Sequence, residues 1–148
     1  QMEEFAKLKN QWYVEYISRM QKDELLPGVY EFIMRLKDQG IKIALGSVSK
    51  NAPVILDRLG IVPCFDAVVD GNLVQAAKPN PEVFLTAARM LQLPNDGCIV
   101  FEDAVAGVQA AHNGGMICVG VGDRKILKKA DFVISSFEDV HTLQPLFE

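Results

Sequence analysis

Three stretches of this 148-residue chain carry side chains that could do chemistry on a phosphate. The first is Ser47-Val48-Ser49-Lys50-Asn51, directly after the apolar run Ile41–Gly46. Hydroxyls, backbone N–H groups, an ammonium and a helix start together suit a phosphate. The same residues also read as a plain turn with Asn51 as a helix cap. The second is Lys78 in Ala77-Lys78-Pro79-Asn80-Pro81. The nearby prolines restrict the backbone around it, and its compact charge could pair with a phosphoryl oxygen or a carboxylate. It equally reads as a solvated lysine ahead of a helix. The third is Glu102-Asp103, after the apolar run Cys98–Phe101. Two unit charges about 4 Å apart repel by about 4 kcal/mol at an effective dielectric near 20. A hard cation removes that cost, and Mg²⁺ typically takes one or two carboxylates together with substrate phosphate and water. The alternative is an Asp103 helix cap beside an exposed glutamate, which the opposite facing of adjacent strand residues favours unless the chain turns at Asp103.

These stretches need elements to hold them, and the sequence predicts an alternation of helix and strand. Phe5, Leu8, Trp12, Tyr16 and Met20 recur every three or four positions, one face of an amphipathic helix. After Pro27-Gly28, Val29, Phe32, Ile33 and Leu36 form a second helical stripe that Gly40 stops. Ile41–Gly46 reads as a buried strand, followed by a helix from Asn51 to Leu59. Asp66–Val69 is a short strand, and Asn80-Pro81 opens a helix through Phe84, Ala88 and Leu91. Cys98–Glu102 is a third strand. A helix capped by Asp103 then runs to Ala111 and stops at Asn113-Gly114-Gly115. Met116–Val121 and Phe132–Ile134 are further strands, and Ser136 can cap a last helix ending near Pro145. Such alternation predicts right-handed βαβ units, a parallel sheet with helices on both faces, and ligands at the carboxyl ends of the strands. A boundary is expected near Lys22–Leu26, dividing residues 1–24 from an α/β body over 25–148.

Composition narrows the function classes. Hydrophobic residues are 49% and charged residues 23%, ordinary globular proportions that exclude a disordered chain. With 15 basic and 19 acidic residues the net charge is −4, which argues against a nucleic-acid partner. No apolar run approaches the ~20 residues of a membrane span, and no signal peptide opens the sequence. Cys64, Cys98 and Cys118 are an odd set without a CxxC pair, as expected of reduced thiols in a cytoplasmic protein. His112 and His141 lie in no ligand spacing and read as surface residues, and Trp12 as packing rather than a sugar platform.

Ser47, Lys78 and the pair Glu102-Asp103, in that order and each at a strand end or ahead of a helix, resemble the haloacid dehalogenase superfamily of phosphotransferases. Within it the chain looks most like the β-phosphoglucomutases, on LGSVSKN and on Lys9-Asn10 in KLKNQWYVEYI. The resemblance implies a Rossmann-like α/β core with a helical cap, of which residues 1–24 are a remnant. It implies Mg²⁺ as cofactor, held by Glu102 and Asp103. Ser47 would bond a phosphoryl oxygen, and Lys78 would offset charge in the transition state. Lys9, Asn10, Val48, Ser49, Lys50 and Asn51 would hold a sugar phosphate. The implied reaction converts β-glucose 1-phosphate to glucose 6-phosphate through an aspartyl phosphate, in a monomeric enzyme. The alternatives are a sugar-phosphate phosphatase and a non-catalytic binding module. A phosphorylation-receiver domain, a further α/β possibility, needs an early acidic cluster after a first strand, and none is found.

The family's DxD motif, whose first Asp is the nucleophile, has no match here, and Asp66 and Asp70 do not fit it. The chain is therefore expected to be an N-terminally truncated fragment that is inactive alone. The strand carrying that motif lies mid-sheet in the family. Its loss would remove about three buried apolar side chains at 1.5–3 kcal/mol each, plus ladder hydrogen bonds. That is comparable with a whole domain's 5–15 kcal/mol. Such a chain is expected to be unstable, to pair through strand edges, or to repack.

Overall fold

The computed structural model describes residues 12–15, 28–47, 57, 60 and 62–146. Among these residues six parallel strands form one sheet in the order β3-β2-β1-β4-β5-β6. They are β1 Trp12–Glu15, β2 Lys42–Gly46, β3 Ala67–Val69, β4 Cys98–Glu102, β5 Ile117–Val121 and β6 Phe132–Ile134. The helices among the described residues are α1 Val29–Asp38, α2 Glu82–Leu91 and α3 Val105–Asn113. Short 3-10 turns lie at Val62–Cys64 and Asn95–Gly97, and a 3-10 run closes the chain at Phe137–Leu146.

The parallel α/β class expected from the sequence is what forms. The vacant centre is not. Trp12–Glu15 occupies it, with Val14 opposite Ala44 on one side and Val100 on the other. This corrects the helix expected across these four residues; residues 1–11 and 16–27, and with them the rest of the expected cap remnant, are outside the described set. The physical reason is twofold. Trp, Tyr and Val favour strands, so a helical period across this run competes with strong β-propensity. An unfilled centre would also leave the facing edges of β2 and β4 with unpaired buried N–H and C=O groups, which four paired positions on each side now satisfy.

The strands alternate their side chains between two cores. Ile43, Ile99, Phe101 and Val119 meet Val29, Phe32, Ile33 and Leu36 of α1 and Phe137 of the closing run. Ala44, Cys98, Val100 and Cys118 meet Val83, Phe84, Ala87 and Ala88 of α2 and Val108 and Ala111 of α3. Phe101 lies 5.2 Å from Phe32 and 5.6 Å from Phe137, centroid to centroid, and is buried. Phe101→Ala is expected to cost about 3–5 kcal/mol, read as a lowered urea midpoint; a loss under about 1 kcal/mol would mean that this face is not packed as described.

Two local expectations change. Asp103 does not cap α3: the helix follows Ala104 with no side-chain cap. The last helix is 3-10 rather than α, although Ser136 Oγ does accept from Glu138 N at 3.1 Å. Thr142 Oγ1 donates to Asp139 O and the His141 ring contacts Glu138 O, so side chains compete for carbonyls of the same run. Pro145 has no N–H to give. None of the three cysteines is in a disulfide. Among the described residues no helix is long and apolar enough to cross a membrane.

Candidate active site

The alternation along β4 sends Glu102 to the same face as Cys98 and Val100, toward α2 and α3, at the strand's carboxyl end. There it is 1% exposed, which overturns the reading of an exposed glutamate beside a cap. Its Oε2 accepts from Lys78 Nζ at 2.7 Å. Its Oε1 accepts from the backbone N–H of Asp103 at 3.0 Å and of Ala104 at 3.1 Å. The chain bends at Asp103, which lifts the opposite-face objection to the acidic pair.

Lys78 comes from the loop between β3 and α2, and that loop is tied down at several points. Glu82 Oε1 accepts from Ala76 N at 3.2 Å and from Gln75 N. Asn80 Oδ1 accepts from Glu82 N at 2.9 Å, although the helix takes Pro81 and not Asn80 as its N-cap. Asn113 Nδ2, at the end of α3, donates to Pro79 O at 3.0 Å. The Lys78 ammonium also lies 4.8 Å from the centroid of the buried Phe84 ring. The sequence reading names Phe84 and Asn113 only as helix and helix-stop positions, and Glu82 not at all. Glu82 at the first turn of a helix behind two prolines was a readable signal; the reach of Asn113 across 34 residues was not.

Burial dominates the electrostatics. It lowers Lys78 to about 8, against the pull of Glu102 and Asp103. It raises the Glu102 carboxyl to about 7, opposed by the Lys78 ammonium. Cys118, on the neighbouring strand, is pushed well above the usual thiol range, first by burial and then by the Glu102 and Asp131 charges, so it stays a neutral thiol.

Ser47 follows β2 at the same sheet edge, 3% exposed, with its N–H donating to Val69 O at 2.8 Å. The structure thus brings Ser47, Lys78, Glu102 and Asp103 to the carboxyl ends of the strands. Lys9, Asn10, Val48, Ser49, Lys50 and Asn51 lie outside the described residues. His112 pairs with Asp131 at 2.9 Å and His141 is exposed, so neither joins the site.

The donor set can be tested against a divalent cation. Glu102 Oε1 is filled by two N–H groups, while Oε2 keeps one lone pair beyond Lys78. Asp103 adds the second carboxylate. Among the described residues there is no group of three or more His, Cys, Asp or Glu able to hold a metal. Two adjacent carboxylates are a donor set of the kind Mg²⁺ takes when phosphate and water supply its other ligands.

The haloacid dehalogenase-like hydrolase family profile matches residues 3–115. The β-phosphoglucomutase of Bacillus subtilis is 42% identical over 146 residues, covering 99% of this chain and 64% of the relative. A phosphorylated-carbohydrates phosphatase of Thermotoga maritima is 32% identical over 117 residues, covering 78% of this chain and 53% of the relative. The crystal structure of a Clostridium difficile β-phosphoglucomutase superposes with a TM-score of 0.79 at 38% identity, over 83% of this chain and 56% of that one. The chain thus spans about half to two thirds of the length of these proteins. With a matching profile over most of its length, and a relative 42% identical along almost all of it, the chain belongs to the haloacid dehalogenase-like hydrolase family.

Proposed function

We propose that this chain carries the phosphate- and metal-binding part of a β-phosphoglucomutase-like phosphotransferase acting on β-D-glucose 1-phosphate. The observation that carries the reading is the buried Lys78–Glu102 pair beside Asp103, in a chain 42% identical to such a mutase along almost its whole length. Asp103, with the remaining lone pair of Glu102, would hold Mg²⁺, which supplies positive charge to the transferring phosphoryl group. Lys78 holds an ammonium at the sheet edge, anchored by Glu102, where phosphoryl oxygens would gather charge. Ser47 offers a hydroxyl to one of those oxygens. Lys9, Asn10 and the segment Val48–Asn51 are proposed to grip the sugar phosphate. The attacking carboxylate would come from sequence beyond these 148 residues, since no DxD motif is found within them.

A second reading, a sugar-phosphate phosphatase on the same core, is favoured by the similarity to the Thermotoga protein. The two differ in whether a sugar hydroxyl or water receives the phosphoryl group. Sequencing the coding DNA upstream of Gln1 comes first: an apolar strand ending in DxDG supplies the nucleophile, and a reading frame that starts at Gln1 removes phosphoryl transfer from this polypeptide. Phosphorus NMR of the protein so defined, with β-glucose 1-phosphate and a trace of the bisphosphate, then separates the readings. Glucose 6-phosphate is expected; inorganic phosphate alone would establish the phosphatase, and neither product would leave a binding module. In the same assay Asp103→Asn is expected to raise the Mg²⁺ needed for half-maximal rate by at least about tenfold, the scale of one lost charge-assisted ligand. An unchanged Mg²⁺ response would remove Asp103 from the metal site.

A further inference from the structure

Helix α3 carries a glycine three residues into its run, at Gly107. Its φ is not positive, so no turn geometry demands glycine there. Glycine weakens a helix interior relative to alanine, so a glycine in this place calls for a packing reason. The reason is visible in the side chain of Glu102. A Cβ added at Gly107 would fall less than 3.0 Å from Glu102 Cγ, Cδ and Oε2, an approach that real Cβ atoms essentially never make. The Oε2 atom is the one that receives the Lys78 ammonium.

We propose that Gly107 is the positioning residue of the candidate site: its missing side chain is the recess in which the Glu102 carboxylate lies, and that recess sets where the Lys78 ammonium is held. The functional weight of this inference rests on the phosphotransferase reading; the geometric part does not. The carboxylate is fixed from three sides. The Asp103 and Ala104 N–H groups fix Oε1, Lys78 fixes Oε2, and the α3 backbone at Gly107 supports the stem. Glu102 is fully buried, with Val108, Ala110 and Ala111 of the same helix packed into the adjoining core, so displacing the carboxylate means giving up its bonds to Lys78, Asp103 N and Ala104 N.

The test is a thermal-melting cycle on the 148-residue chain. Gly107→Ala is placed in the wild type and in a Lys78→Met/Glu102→Ala background, where both charges and the Glu102 stem are gone. In the wild type the substitution is expected to lower the melting midpoint by more than about 5 °C, or to abolish the transition. In the background lacking the Glu102 side chain it is expected to leave the midpoint unchanged or raise it, because alanine then only strengthens the helix. A generic packing role of Gly107 would lower the midpoint equally in both, and that result overturns the proposal. So does an unchanged midpoint in the wild type. Gly114→Ala is the control: its Cβ would meet Leu85 and Pro81 at 3.4 Å, ordinary contact, and it should shift the midpoint little. If the double-substituted background does not fold, the comparison of Gly107→Ala with Gly114→Ala decides alone, equal shifts counting against the proposal. Loss of the mutase and phosphatase readings in the NMR assay would leave this cycle standing, whereas a failed cycle in an active enzyme removes only the role of Gly107.

Discussion

Lys78→Met is expected to destabilise the chain by about 1–3 kcal/mol at neutral pH, because Glu102 loses its charge-assisted partner and takes up a proton to stay buried. The side chains are 8% and 0% exposed, so water cannot replace what is removed. Substituting both members, Lys78→Met with Glu102→Leu, should recover most of that loss in the absence of metal, since well-packed apolar replacements of a buried pair are often neutral or stabilising. The pH dependence gives an independent reading. Folded Glu102 keeps its proton up to about 7, against 4.5 when unfolded. The folded state therefore binds more protons between these values, and the stability from this group is full below 4.5 and lost as pH rises through 7. Lys78 falls to about 8 from 10.5, so its contribution is full above 10.5 and lost as pH falls through 8. Together they place the minimum of the pair's contribution between pH 7 and 8. Urea midpoints measured from about pH 4 to about pH 10 should trace that shallow minimum. In Lys78→Met the alkaline limb should vanish. The acid limb should extend above pH 7, because Glu102 loses the two influences, charge and hydrogen bond, through which Lys78 lowers it. A variant as stable as the wild type at neutral pH would show that the pair is open to solvent.

Where periodicity and residue chemistry agreed, the sequence was a sufficient guide. Val29, Phe32, Ile33 and Leu36 do bury one face of α1, and the runs IKIALG and CIVFE do become strands. Lys78 and Glu102 could be named because one stands just ahead of a Pro-Asn-Pro run and the other directly after an apolar strand. Their contact could not be named, because it joins a loop to a strand end 24 residues away and depends on Gly107 leaving room. Asp103 looked like the cap of α3, yet the Glu102 carboxylate receives the N–H groups of the turn instead, being already held at that point by Lys78. A local propensity gives way there to a tertiary contact. Trp12–Glu15 shows the same competition over a longer distance. Its residues satisfy a helical period and a strand composition alike, and only the open edges of β2 and β4 decide between them.

That decision can be tested by Val14→Pro, which is expected to abolish cooperative unfolding. Val14 lies at the middle of the central strand, paired to Ala44 and Val100. Proline removes an N–H from the ladder and is found essentially only on edge strands or at bulges. The lost hydrogen bond and the carbonyl left without a donor are together worth about 2–4 kcal/mol, already a large part of a 5–15 kcal/mol domain. The topological consequence is larger still. Without β1, nothing in the ladder joins β3-β2 to β4-β5-β6, and the two cores built on Ile43 with Ile99 and on Ala44 with Val100 lose their shared sheet. Amide exchange should therefore become fast at Ile43–Leu45 and Ile99–Phe101 together, with the circular-dichroism melt broadened or absent. A segment packed outside the sheet would behave differently: proline at residue 14 would unravel that segment alone, leaving those amides protected and the melt sharp. That outcome would remove Trp12–Glu15 from the sheet and leave its centre to be filled by another strand.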